Sequence, residues 1–141
     1  MTTDEYLEKR KSKDWNFNPV VPLDSFMNVQ KIHPLKQKIV KSIVDAAKAD
    51  SHVKSVIVFG SSVRYDCHPF SDLDLCIDWT EDCYTENGVL KPFTGKLRSL
   101  ISSITEGNAD VINYQDLDYT NVKDDVLNRG ITVYEHIVRQ I

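Results

Sequence analysis

Two aspartates separated by one leucine, Asp72-Leu73-Asp74, head an apolar run, and a Gly60-Ser61 pair precedes them with ten residues between. If that run is a strand, successive side chains alternate faces. Asp72 and Asp74 then share one face, while Leu73, Leu75 and Ile77 take the other. Two carboxylates held this close repel, and partial enclosure raises the cost unless a cation lies between them. Hard oxygen donors suit Mg2+ or Mn2+, and two such ions about 3.5 to 4 Å apart can bridge phosphates and activate an attacking hydroxyl.

A third carboxylate is expected beside this pair. Asp110 opens the later run Ala109 to Tyr114, and an adjacent strand would bring it level with the aspartate pair while Val111 takes the opposite face. Asp116 and Asp118 come soon after but read as loop residues. Gly60 lets backbone approach a phosphate. Ser61, with Ser62 behind it, is expected at the mouth of a short helix, where hydroxyl and N–H donors meet the positive end of the dipole. Arg64 is the nearby cation. A lone Gly-Ser is a common turn and a lone Asp-x-Asp a common strand-entrance charge; their combination reads as a phosphoryl-transfer site that works by positioning and electrostatics.

Positioning these groups requires strands that stop and start at particular residues. Val53 to Phe59 is a β-rich run ended by Gly60, and Leu73 to Trp79 is a second. Between them, Ser61 to Ser71 holds the short helix, and His68-Pro69 forces an extended approach to the second strand. Pro34 to about Ala49 carries Leu35, Ile39, Val40, Ile43, Val44, Ala46 and Ala47 at helical spacing, with Pro34 in the first turn. Phe93 to about Thr105 is a second helix, with Leu97, Leu100, Ile101 and Ile104 on one face and Gly107 beyond its end. Glu81 to Lys91 reads as a loop turning at Asn87-Gly88, Val122 to Asn128 as a short helix before Gly130, and Ile131 to Val133 as an edge strand. The order predicts an α/β fold, a small mixed β-sheet flanked by helices. Asp4 to Lys13 reads as a charged helix, followed by a loop with Pro19 and Pro22 that tucks Trp15, Phe17 and Phe26 over the body. The expected division is therefore 1–33, an N-terminal helix and wrapping loop, and 34–141, a single globular unit.

Composition narrows the class. A chain of 141 residues, 41% hydrophobic and 27% charged, suits one soluble domain. No apolar run approaches the roughly 20 residues that span a bilayer. The polar, acidic start Met1-Thr2-Thr3-Asp4-Glu5 does not read as a signal peptide, so a cytoplasmic location is expected. Cys67, Cys76 and Cys83 lack paired spacing and read as reduced thiols, with no disulfide framework or structural metal expected. A net charge of -4 and a pI near 5.5 disfavour long nucleic acid as a partner, leaving a small molecule or a protein as acceptor. His33, His68 and His136 read as surface or cap residues, Asp78 as a strand-end charge, and Lys91, Lys96 and Arg98 as a solvated helix face. Ser61 has no His-Asp partnership to make it an acyl-transfer nucleophile.

On these residues the segment resembles the signature of the DNA polymerase β-like nucleotidyltransferase superfamily, and especially its minimal nucleotidyltransferase members. The pattern of Gly-Ser, Asp-x-Asp and a later strand-borne Asp is matched by Gly60-Ser61, Asp72-x-Asp74 and Asp110. A Pro-x-Ser approach is matched by Pro69-Phe70-Ser71, and a glycine-then-tyrosine ending by Gly130 and Tyr134. The resemblance runs from about Lys36 to Glu135. It departs at Tyr65-Asp66-Cys67, where minimal members usually carry small residues. The resemblance implies the nucleotidyltransferase fold and a metal-dependent enzyme transferring a nucleoside monophosphate, AMP from ATP in the first instance, to a hydroxyl of a protein or small molecule. Asp72 and Asp74 would bind both metals, Asp110 the catalytic one, and Gly60, Ser61, Ser62 and Arg64 the triphosphate. It also implies a HEPN-type toxin as protein partner, the chain being its antitoxin. The rival reading is a noncatalytic nucleotide- or partner-binding module on the same fold.

Overall fold

The computed structural model describes residues 19–23 and 25–136. The expected helix over Asp4 to Lys13, Trp15 and Phe17 lie outside these residues. Two runs form the central strands: β1 (Val53–Phe59), rich in β-branched residues, and β2 (Leu73–Trp79), where apolar Leu73, Leu75, Ile77 and Trp79 alternate with Asp74, Cys76 and Asp78. With β3 (Ala109–Asn113) and β4 (Ile131–Glu135) they make one four-stranded sheet of order β3-β2-β1-β4. β1 runs antiparallel to β2 and β4, and β2 pairs parallel with β3, so the sheet is mixed.

One face is covered by α1 (Pro34–Lys48) and α2 (Gly95–Ile104). Val40, Ile43, Val44 and Ala47 of α1 and Leu97 and Ile101 of α2 pack with Val56, Val58, Leu73, Leu75, Ile77 and Trp79 of the sheet. Each fully buried Val, Leu or Ile contributes about 1.5 to 3 kcal/mol. Leu35 and Leu100, expected on the apolar stripes, are exposed. Leu35 sits about 100° round the helix from buried Lys36, and Leu100 lies at the rim of the Leu97–Ile101 row. Buried polar groups tie the preceding loop and the β2 approach to α1. Gln37 accepts from Val20 N at 2.7 Å and donates to Ile32 O at 2.8 Å, while Lys36 Nζ donates to Ser71 O at 2.6 Å.

On the opposite face Phe59 and Cys76 pack with Leu117, from a 3-10 turn over Tyr114–Tyr119, and with Val126, from α3 (Lys123–Arg129). Alternation along β2 puts Asp74 on this thinner-covered face with Cys76, away from the two long helices. β4 continues two residues past the expected end at Val133, because pairing with β1 extends to Ser55↔Glu135. The expected loop after β2 contains a 3-10 turn at Glu81–Cys83 and a Tyr84↔Leu90 bridge around Gly88. No helix among the described residues is long and apolar enough to cross a membrane.

Candidate active site

The C-terminal end of β1 and the N-terminal end of β2 meet because the antiparallel register pairs Phe59 with Asp74. Gly60 comes next, with φ +73°, a conformation that costs L side chains about 1 to 2 kcal/mol. A Cβ there would also collide with Asp74 Oδ2. The glycine thus does two things: it turns the chain, and it leaves room for the Asp74 carboxylate against bare backbone.

The short helix expected after Gly60 is a single 3-10 turn, Gly60–Val63, with no side-chain cap. Arg64 is already extended (φ -123°, ψ 153°), so the turn cannot propagate or sum peptide dipoles into a macrodipole. What the turn offers is backbone N–H groups and serine hydroxyls. Its far side is anchored where His33 N donates to Ser62 O at 2.8 Å. Ser61 is half-buried, while Ser62 is fully buried and its Oγ has no hydrogen-bond partner among the described residues. Arg64 is exposed, and its Nε meets Asp66 Oδ1 at 3.3 Å.

The parallel β2–β3 register sets Asp74 directly opposite Asp110, and side chains at paired positions of adjacent strands share a face. Asp72 and Asp110 are exposed and Asp74 is half-buried. Burial, then the charges of Asp110, Asp72 and Asp125, push the Asp74 carboxyl up to about 6, against the opposing pull of Arg64. Asp125 was not among the expected site residues. It stands in the first turn of α3, which packs against the Gly60–Val63 turn, and is held by Arg129 Nε at 2.8 Å.

A half-buried Asp74 carboxyl pushed up by burial and by neighbouring carboxylates fits a divalent cation, whose charge removes the repulsion and whose preferred donors are oxygens. The oxygens of Asp72, Asp74 and Asp110 are not drawn into one knot. Among the described residues, the group of three ligand-type side chains whose donor atoms lie within 4.8 Å of one another is His52, Asp82 and Cys83, at the other end of the β1–β2 pair. Uncompensated like charges lower their energy by spreading, and Asp72 and Asp110 have solvent to spread into.

Several of the remaining candidates have structural partners. His33 caps α1, its Nδ1 accepting from Leu35 N at 3.2 Å, and His68 Nδ1 accepts from Phe70 N at 3.3 Å. Arg98, expected on a solvated face, instead donates to Asn113 Oδ1 at 2.6 Å, because the end of β3 lies within its reach. Asp78 accepts from Gln115 Nε2 at 2.9 Å. Lys96, Asp116 and Asp118 are exposed, and Lys91 is half-buried. The three cysteines are buried and form no disulfide.

Residues 41–137 match the family model described as "Polymerase beta, Nucleotidyltransferase". No curated protein matches the sequence. Among solved structures, the chain is similar to one described as a toxin-antitoxin with AMP-PNP, at 14% identity and TM-score 0.46, over 70% of this chain and 73% of that one. It is likewise similar to a mutant of the toxin-antitoxin MntA-HpeT, at 13% identity and TM-score 0.48, over 72% of this chain and 73% of that one. The family match covers well over half the sequence and spans β1, the Gly60 turn, β2, β3 and β4, and the chain belongs to the polymerase beta nucleotidyltransferase family.

Proposed function

We propose that this protein transfers a nucleoside monophosphate, AMP in the first instance, from a nucleoside triphosphate to a hydroxyl of a protein or small molecule. The observation that carries the reading is the packing of Asp74 against Gly60 amid Asp72, Asp110 and Asp125, with its carboxyl pushed up to about 6. Asp72, Asp74 and Asp110 would hold Mg2+ or Mn2+, which supplies neutralisation of phosphate charge and makes the acceptor hydroxyl more acidic. The backbone N–H groups of Gly60 and Ser61 bind the triphosphate, with Arg64 at its edge. Ser62, fully buried in the same turn, helps hold its shape, its backbone O accepting from His33 N at 2.8 Å. Asp110 orients the acceptor hydroxyl and helps take its proton. The new bond joins the acceptor oxygen to the α-phosphorus, the α–β anhydride bond breaks, and pyrophosphate leaves.

The acceptor we favour is a protein partner of the HEPN type, with this chain as its antitoxin, as the sequence resemblance implies. The test incubates the purified chain, Mg2+ and α-labelled ATP with the product of the neighbouring gene, and tracks label into protein. Label incorporated by wild type and lost in Asp74→Asn supports the reading. Saturable nucleotide binding with no transfer to that protein or to a panel of hydroxyl-bearing small molecules would overturn it in favour of the noncatalytic binding module.

A further inference from the structure

The end of the β1–β2 ladder remote from Gly60 brings together three side chains of different chemistry. His52 immediately precedes β1, and Asp82 and Cys83 lie in the 3-10 turn just after β2. The register Val53↔Trp79 and the bond from Thr80 N to His52 O, 2.9 Å, close this end of the ladder and hold the two segments side by side. We propose that His52, Asp82 and Cys83 form a second metal site, selective for a zinc-class divalent ion and separate from the carboxylate cluster.

Geometry supports the proposal first. One donor atom from each residue lies within 4.8 Å of the other two. His52 Nδ1 and Asp82 Oδ2 are 3.3 Å apart. In a tetrahedral zinc site, Zn–N and Zn–O bonds of roughly 2.0 to 2.2 Å place such a pair about 3.4 Å apart. The sulfur, at a Zn–S bond of about 2.3 Å, would stand about 3.6 Å from the nitrogen, so closure asks for a shift of about an ångström at most.

Donor type supports it second. A thiol, an imidazole and a carboxylate match Zn2+ or Co2+, whereas Mg2+ prefers oxygens alone. Thr80 Oγ1 contacts both Asp82 Oδ1 and Cys83 Sγ and so orients two of the three donors, as outer-shell groups do around bound metals. The Cys83 side chain is buried, while His52 and Asp82 are 37% and 64% exposed, leaving a solvent-side path for entry and a fourth position for water.

The two ends of β2 are separated by about 20 Å at 3.3 Å per residue, so this site does not touch the transferring atoms. Its effect is to fasten the start of β1 to the exit of β2. A surface His–Asp pair beside a hydrogen-bonded thiol would need no ion, and the two cases differ in what cobalt does. Titration of the tag-free, reduced protein with Co2+ is expected to saturate at about one equivalent, with thiolate-to-cobalt charge transfer and the intense visible bands of a tetrahedral ion. Zn2+ should bleach both. The spectrum should persist in Asp72→Asn/Asp74→Asn, which disables the carboxylate cluster, and vanish in Cys83→Ser. His52→Gln, at a half-exposed position that leaves the core intact, should weaken binding at least tenfold. No charge-transfer band in wild type, or wild-type affinity in His52→Gln, overturns the proposal.

Discussion

Replacing Gly60 by alanine separates two costs that the structure combines at one residue. The positive φ of +73° imposes a backbone penalty on any L residue, about 1 to 2 kcal/mol. The added Cβ would also stand 2.2 Å from Asp74 Oδ2 and 3.1 Å from its Cγ, where ordinary contacts begin near 3.4 Å, so the carboxylate must move by about 1 Å. An aspartate side chain can rotate away, so the second cost falls on geometry more than on stability. Gly88 supplies the control, with φ +78° and nothing within 4 Å of an added Cβ. Gly60→Ala and Gly88→Ala should therefore lose similar stability in urea, about 1 to 2 kcal/mol each. Only Gly60→Ala should lose transfer, by on the order of a hundredfold, as expected for a 1 Å misplacement of a positioning group. The paired assay is urea unfolding and then label transfer, with the Mg2+-dependent thermal shift in a nonhydrolysable ATP analogue as a second readout. Transfer by Gly60→Ala within threefold of wild type would refute the claim that the contact with Asp74 is what requires glycine.

The Asp74 carboxyl, raised from 3.8 to about 6, makes the fold hold a proton that the unfolded chain has already released, so its contribution turns unfavourable as pH rises from about 4 to 6. The full shift is worth about 3 kcal/mol, and roughly 1 after screening of a half-exposed group. Asp74→Asn should therefore stabilise the protein in EDTA at pH 8 and lose that gain near pH 4, and equal melting curves at pH 8 would contradict it. Asp110→Asn should leave nucleotide binding within a few-fold while lowering transfer about a hundredfold, a loss near 3 kcal/mol; calorimetry beside the label assay checks both halves. Burial, then the Lys36 charge, lower the His33 pKa, so the unfolded chain takes up this proton first. Stability from His33 should be present above about pH 6.5 and decline as pH falls below it. His33→Asn, which keeps a capping acceptor, should flatten that decline in melting curves taken from pH 5 to 8.

The strands that carry the site are readable because each is a β-rich run with a hard stop. Val53–Phe59 ends on a glycine, and Leu73–Trp79 begins after Pro69-Phe70-Ser71-Asp72. Alternation along β2 and β3 is enough to put Asp74 and Asp110 on one face, given that the strands are neighbours. The turn after Gly60 reads as a helix because a capping serine marks where a helix can start, but the residues beyond Val63 decide how far it runs. Here Arg64 goes extended on the way to Pro69. Asp125 carries no local mark of its role, since only the packing of α3 beside the Gly60 turn makes it felt at Asp74. The His52, Asp82 and Cys83 group is invisible for the same reason: its members are joined by strand register, with about thirty residues between them.

The parallel pairing of β2 with β3 also sets an order of assembly. Gly60, Asp72 and Asp74 can come together when the β1–β2 pair closes, a contact between segments near in sequence. Asp110 reaches Asp74 only after α2 has crossed over and β3 has been threaded in on the far side of β2. β4 must then travel back to the opposite edge to lie against β1. Long-range pairings form late because chain closure must precede the contacts that reward it. A chain still emerging from the ribosome would thus present the aspartate pair before the third carboxylate arrives, and the complete cluster would appear only once β3 has emerged and docked beside β2.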